Sequence, residues 1–314
     1  MKVSMSDIAF LFPGQGSQAP GMGKALAEAF EASRRVFEEA DDALGFPISR
    51  LCFEGPEDQL RLTENTQPAL LTVSIAALRV LEQEGFRPAW VAGHSLGEYS
   101  ALVAAGSLQF RDAVRLVRLR GRYMQEAVPP GVGAMAAVLK PPMDRLEQIL
   151  AEAAQGEIVA AANFNSPDQI VIAGHAGAVA RAGDALKAAG AKRVVPLPVS
   201  APFHCPLMLP AQQRLKTDLD ATPFADLAIP LVNNVAARVV TAGQEAREGL
   251  CLQVSGAVRW TESVLKLAEL GCTRAVEVGA GAVLCGLLRQ IAPRIRTAKF
   301  GEPADLDKVR ELLS

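Results

Sequence analysis

Gly93-His94-Ser95-Leu96-Gly97 holds the residue types that nucleophilic acyl transfer needs. A serine between two glycines can sit on a sharp strand-to-helix turn, a nucleophile elbow, that lifts its hydroxyl clear of the backbone. The apolar run Trp90-Val91-Ala92 before it and the helix-forming run from Glu98 to Ala105 after it supply the strand and the helix. A helix that starts just past Ser95 would aim free backbone N–H groups at a reacting carbonyl. The plainer reading of the same string is a tight turn with a passive serine. A serine hydroxyl is also a poor nucleophile without a base, and the chain has three histidines. His94 adjoins Ser95, so its ring should diverge from the hydroxyl. His175 falls at a turn leading into a helix. His204 lies in Ser200-Ala201-Pro202-Phe203-His204-Cys205-Pro206, where the chain crosses between two units, and such crevices favour ligands. His204 is the expected base, with a buried structural histidine as the alternative. No acid stands out as its orienting partner, which leaves that task open to a backbone carbonyl.

Arg120 and Gln15 add to this chemistry. Arg111, Arg115, Arg118 and Arg122 recur at steps of three and four and form one basic face, most simply a solvated one. Arg120 lies off that face, among Leu116, Val117, Tyr123 and Met124. A guanidinium on an apolar stripe needs a partner, because an unpaired buried charge is very costly. The choice is between an internal salt bridge and a ligand carboxylate, which arginine matches with two parallel hydrogen bonds. Gln15 sits in the glycine-rich loop Pro13-Gly14-Gln15-Gly16-Ser17-Gln18 after the apolar stretch Ile8 to Phe12. Open α/β sheets bind ligands at that end of a strand. The loop lacks a phosphate-cradling pattern, and an oxyanion donor paired with the Leu96 N–H is the better expectation.

The elements that would position these residues are α/β. Strands are expected at Ile8 to Phe12, Ala89 to Ala92, Pro230 to Val235 and Ala275 to Val278. Helices are expected at Met22 to Leu44, Ala69 to Glu84 with Pro68 in the first turn, and Asp112 to Ala127. Further helices follow at Glu262 to Leu270, Ala282 to Gln290 and Leu306 to Leu313. Between Pro129 and Val199 the pattern reads strand (Ala134 to Leu139), helix (Asp144 to Ala154) and two strands (Ile158 to Phe164, Gln169 to Ala173). A helix (Ala176 to Ala189) and a strand (Arg193 to Val199) close it, giving the βαββαβ order of a ferredoxin-like unit. Residues 129–199 are therefore expected as a small inserted domain, and residues 1–128 with 200–314 as a larger discontinuous one.

Composition bounds the function. The 314 residues are 50% hydrophobic, enough for a large core, and the net charge of −2 gives no reason to expect nucleic acid. There is no apolar run of about 18 residues, so no membrane span is expected. Ile8 to Phe12 is too short for a secretory segment. Five scattered cysteines without a CxxC read as reduced thiols in the cytoplasm. So few histidines, with no cluster, give no expectation of a catalytic metal.

Five motifs fall in the order of one family. They are Phe12-Pro13-Gly14-Gln15-Gly16-Ser17-Gln18, Gly93-His94-Ser95-Leu96-Gly97-Glu98-Tyr99-Ser100-Ala101 and Arg120-Gly121-Arg122-Tyr123-Met124-Gln125, followed by Asn163-Phe164-Asn165-Ser166-Pro167 and Pro202-Phe203-His204. Over nearly its whole length the chain resembles the malonyl-CoA:acyl carrier protein transacylases. The resemblance implies a hydrolase-like α/β domain with a ferredoxin-like insertion. It implies that Ser95 carries a malonyl ester, that His204 is the base, and that Gln15 and Leu96 hold the oxyanion. Arg120 would hold the malonyl carboxylate. Gln253 matches the residue whose main-chain carbonyl orients the histidine. His94, Asn163 and Phe203 would contact substrate, and Phe203 is similar to the residue of malonyl-selective members. The implied substrates are malonyl-CoA and a phosphopantetheinylated acyl carrier protein, with no metal or bound cofactor and a monomeric enzyme. Ala257 and Ala280 stand where the family usually has proline, which bears on loop stiffness rather than chemistry. Rival readings are a polyketide carrier as acceptor, an acyl-thioester serine hydrolase, and a catalytically silent carrier-binding subunit.

Overall fold

A computed structural model describes residues 7–199 and 201–314. Among the described residues the strands are β1 (Ile8–Phe12), β2 (Trp90–Gly93), β3 (Gly133–Leu139), β4 (Val159–Ser166), β5 (Gln169–His175), β6 (Arg193–Pro196), β7 (Leu231–Val232), β8 (Val239–Val240), β9 (Arg274–Val278) and β10 (Arg296–Phe300). They form two sheets. The larger runs β10-β9-β1-β2-β7-β8, parallel from β10 to β7 and antiparallel only where β8 joins β7. The chain is thus a mixed α/β fold. β1 is central and buried on both sides: Ile8, Phe10 and Phe12 enter one core, Ala9 and Leu11 another. That is why its sequence is continuously apolar rather than alternating.

The smaller sheet runs β4-β5-β3-β6, antiparallel throughout, with helices Leu146–Ala154 and Ala176–Ala188 over one face. Val138, Ile149, Ile172, Ala182 and Leu186 make a separate apolar core there. A seam ties this unit to the rest of the chain. The Phe164 N–H donates to the Val258 carbonyl and the Val258 N–H to the Ala162 carbonyl, each at 2.9 Å. The Ser166 hydroxyl also donates to Gln290 Oε1 at 2.8 Å.

Several expected boundaries shift. Pro68 lies inside helix Thr63–Gln83, not in its first turn. Proline has no N–H to offer the carbonyl four residues back, and the Glu64 carbonyl accepts from Arg118 Nη1 at 2.9 Å instead. The stretch expected as one helix to Leu44 is two, Lys24–Ala29 and Glu31–Leu44, broken by extended Phe30. The last strand of the small unit stops at Pro196, and the strand expected from Pro230 is only two residues long. Helices Leu209–Ala221 and Gly243–Gln253 and the edge strand β10 have no counterpart in the expected pattern. Ser200, the expected point of return to the large domain, lies outside the described residues.

Candidate active site

Ser95 follows β2 and precedes helix Gly97–Ala104, and its φ is 50°. A side chain in the left-handed region is strained by roughly 1–3 kcal/mol and persists only where its surroundings enforce it. Tight packing enforces it here. A Cβ added to Gly93 would lie 1.9 Å from the Gly97 carbonyl carbon, and one added to Gly97 would lie 2.0 Å from the Phe12 carbonyl oxygen. Asn234 braces the turn from the loop after β7: its Oδ1 accepts the Ser95 N–H at 2.7 Å, and its Nδ2 donates to the Gly93 carbonyl at 2.7 Å.

His204 meets this turn from a distant part of the chain. Its Nε2 stands 2.7 Å from Ser95 Oγ, and its Nδ1 stands 2.8 Å from the Gln253 carbonyl oxygen. A carbonyl only accepts, so Nδ1 carries the proton and the Nε2 lone pair faces the serine hydroxyl. Gln253 closes helix Gly243–Gln253, where carbonyls lack intrahelical partners and the helix dipole is negative. A helix end thus occupies the place on Nδ1 that a carboxylate could fill. Burial, with the Arg120 charge second, pushes His204 down to about 3, so the ring is neutral. The φ of His204 is 59°, so both members of the pair share the left-handed conformation.

Arg120 projects from helix Phe110–Glu126 and is only 2% exposed. Its Nη1 donates to Gln67 Oε1 at 2.7 Å, and its Nη2 to Gln253 Oε1 at 2.9 Å and Ser95 Oγ at 3.2 Å. All three acceptors are neutral, and no salt bridge to Arg120 exists among the described residues. The internal salt bridge left open by the sequence is therefore absent from this helix's inner face. Burial lowers the Arg120 pKa, opposed by Tyr99 and Glu98. The charge stands beside Ser95 Oγ with no direct anionic partner.

The other expected residues divide. Leu96 caps helix Gly97–Ala104, and among the described residues neither its N–H nor that of Gln15 makes a hydrogen bond. The Gln15 side chain accepts from the Thr63 hydroxyl at 2.8 Å. His94 does turn away from Ser95: its Nε2 pairs with Asn165 Oδ1 at 2.8 Å and its ring lies edge-on to Trp260. Burial lowers the His94 pKa. Asn163 is buried in β4, bridged to Val258, and Phe203 is buried in the large core. His175 Nδ1 accepts the Ile158 N–H at 2.9 Å within the small unit.

Sequence reasoning passed over Gln67, Asn165, Asn234 and Glu98. Asn165 stands two residues from Asn163 in a strand, which was a usable signal. Gln67 and Asn234 had none, since isolated amides acquire meaning only from what folds against them. Glu98 was read only as a helix former. It is buried, and its Oε2 accepts from the Asn234 N–H and from Gln253 Nε2, each at 2.9 Å. Burial raises it to about 7.

Comparison with known proteins follows the same lines. Residues 9–297 match the acyl transferase domain family. A malonyl CoA-acyl carrier protein transacylase of Bacillus subtilis (strain 168) is 49% identical over 304 residues, 96% of each chain. That of Escherichia coli (strain K12) is 48% identical over 309 residues, 98% of this chain and all of the relative. A malonyl-transacylase solved with its holo type II polyketide acyl-carrier protein superposes with a TM-score of 0.95 at 46% identity, covering 97% of this chain and 99% of that one. The chain belongs to the malonyl CoA-acyl carrier protein transacylase family.

Proposed function

We propose that the protein transfers a malonyl group from malonyl-CoA to the phosphopantetheine thiol of an acyl carrier protein, in two half-reactions through a Ser95 ester. The observation that carries this reading is one oxygen with two partners. Ser95 Oγ lies 2.7 Å from a neutral imidazole nitrogen and 3.2 Å from a guanidinium that has no carboxylate of its own. Ser95 Oγ attacks the thioester carbonyl while His204 Nε2 takes its proton. The tetrahedral oxyanion is held by the Gln15 and Leu96 N–H groups. Collapse expels the CoA thiolate, which recovers the proton from His204. The carrier thiol then gives its proton to His204, attacks the ester carbonyl, and Ser95 leaves with that proton. Arg120 turns from its amide partners to the malonyl carboxylate and grips it through two hydrogen bonds. His94, Asn163 and Phe203 are assigned to the substrate cavity around it.

The fold supports the same reading. We read the turn at Ser95 as a nucleophile elbow on a hydrolase-like sheet, residues 129–199 as a ferredoxin-like inserted domain, and residues 1–128 with 200–314 as the larger one. The product would supply malonyl units to fatty acid elongation. We read the enzyme as a cytoplasmic monomer without a bound cofactor. No helix among the described residues is long and apolar enough to cross a membrane.

Brief incubation with malonyl-CoA tests the proposal. Mass spectrometry should find one malonyl group, on the peptide that contains Ser95, and adding holo carrier should move it to the carrier thiol. Ser95→Ala should take no label. Label on Cys205, a stronger intrinsic nucleophile beside the base, would overturn the mechanism. Running the chase with a fatty acid carrier and a polyketide carrier side by side identifies the preferred acceptor.

A further inference from the structure

We propose that Glu98 is a positioning residue that holds Arg120 through the side-chain amide of Gln253, and so sets the preference for acyl groups ending in a carboxylate. The inference rests on the reading of Arg120 as the malonyl clamp. Three observations carry it. First, Glu98 is 1% exposed in the first turn of the helix after Ser95, and no salt bridge to it exists among the described residues. A buried carboxylate is costly unless something compensates it. Second, one amide spans the gap between this anion and the buried cation. Gln253 Nε2 donates to Glu98 Oε2 at 2.9 Å, while Gln253 Oε1 accepts from Arg120 Nη2 at 2.9 Å. Third, the rest of the base line does not use this side chain, because Gln253 orients His204 through its main-chain carbonyl.

The chemistry of each group fixes the direction of this relay. Glu98 Oε2 already accepts the Asn234 N–H, so it stands as an acceptor and takes the NH₂ end of the amide. The carbonyl end then faces Arg120, which only donates. A flipped amide would set oxygen against Glu98 and NH₂ against the guanidinium. The Ser95 carbonyl and Asn234 Oδ1 also face Gln253 Nε2, at 3.0 and 3.4 Å, but both are neutral. Glu98 is the only carboxyl group in the set, and its ionised form is the only anion there. By polarising the amide it strengthens the oxygen offered to Arg120, and it opposes the Arg120 charge before substrate brings a carboxylate of its own. A direct Glu–Arg pair would compete with malonate for the guanidinium. A pair mediated by an amide holds the guanidinium in place and leaves it able to exchange partners.

The test is kcat/KM for malonyl-CoA and acetyl-CoA in the wild type, Glu98→Gln, Glu98→Ala, Arg120→Ala and the Arg120→Ala/Glu98→Gln pair. The malonyl-to-acetyl ratio should fall about tenfold in either Glu98 variant, the scale of one hydrogen bond to a charged group. Most of the loss should appear in KM for malonyl-CoA, with acetyl transfer changed about threefold at most. On the Arg120→Ala background, Glu98→Gln should lower the ratio no further. Glu98→Gln keeps size and an acceptor oxygen. If neither Glu98 variant melts cooperatively, Gln253→Met cuts the same relay while leaving the main-chain carbonyl on His204, and should show the same loss of ratio. A ratio within about twofold of wild type, or an equal fall for both substrates, would overturn the proposal. Should Arg120→Ala alone lose malonyl preference, only the relay fails. Should Arg120→Ala depress both substrates alike, the clamp reading itself fails.

Discussion

Helix Phe110–Glu126 presents two arginine-bearing faces, and they put the same side chain to different uses. On the outer face three guanidinium groups meet partners within the protein. Arg118 pairs with Glu64 at 3.5 Å, donates to the Glu64 carbonyl and to Asn65 Oδ1, and lies over the Phe46 ring. Arg115 donates to the Ala43 carbonyl at 2.9 Å, and Arg122 stands 3.9 Å from Glu126. Arg111, Arg115 and Arg122 of this basic face stay exposed, as a solvated face would be, while Arg118 is half-buried and tied back to the protein. On the inner face, Arg120 meets two amide oxygens and a serine hydroxyl. A carboxylate partner would have satisfied its charge permanently. Neutral acceptors hold both of its terminal nitrogens and leave the charge without an anionic partner, as the proposed clamp requires. The partner set, rather than the residue type, separates the arginines tied to the protein from the one proposed for recognition.

The largest effect that bears on this contrast comes from His204. His204→Ala should slow transfer of malonyl and acetyl groups alike, by about 10²–10⁴-fold, because a general base does not sense the far end of the acyl group. Single-turnover acylation measures it, and a loss confined to malonyl-CoA would blur the division between base and clamp. Arg120→Ala should cost malonyl-CoA about 30- to 3,000-fold in kcat/KM, corresponding to roughly 2–5 kcal/mol for truncating one partner of a buried charge pair. Acetyl-CoA should lose much less. The matching change outside, Arg118→Ala, should leave both substrates within about twofold and lower Tm by about 2–4 °C for each kcal/mol lost. Selectivity that moved with Arg118 would break the comparison.

The smallest expected effect is a flat line. Burial and the Arg120 charge hold His204 near 3, far below the ordinary imidazole value. His204 should therefore stay neutral, and able to accept the Ser95 proton, as pH falls through 6.5. Inactivation by a sulfonyl fluoride reports this, since the reagent has no carboxylate for Arg120. Between pH 5 and 8, above that of hydroxide-driven background, its rate should show no step near about 6.5. A midpoint at the usual imidazole value that persists in Glu98→Gln, which removes the carboxyl raised to about 7, would mean that His204 is open to water and that the Arg120 field does not reach it.

The sequence by itself determined what depends on neighbours along the chain. Glycines around Ser95 allow a turn that crowded backbone leaves no other residue to make, and the structure has strand and helix on either side of it. The apolar stripe around Arg120 marked it as buried before any partner was known. The single imidazole between two units separated His204 from His94 and His175. Tertiary structure alone decided who answers these residues. The Gln253 carbonyl had to be left unpaired by the end of its own helix, a helix that the apolar periodicity did not reveal. Gln67 reaches Arg120 from 53 residues away, Asn234 reaches Ser95 from 139, and Gln253 reaches Glu98 from 155. Periodicity and turn chemistry record forces between residues a few positions apart. A buried amide has no such signature: its two ends can serve an anion or a cation, and only the packed neighbours select which.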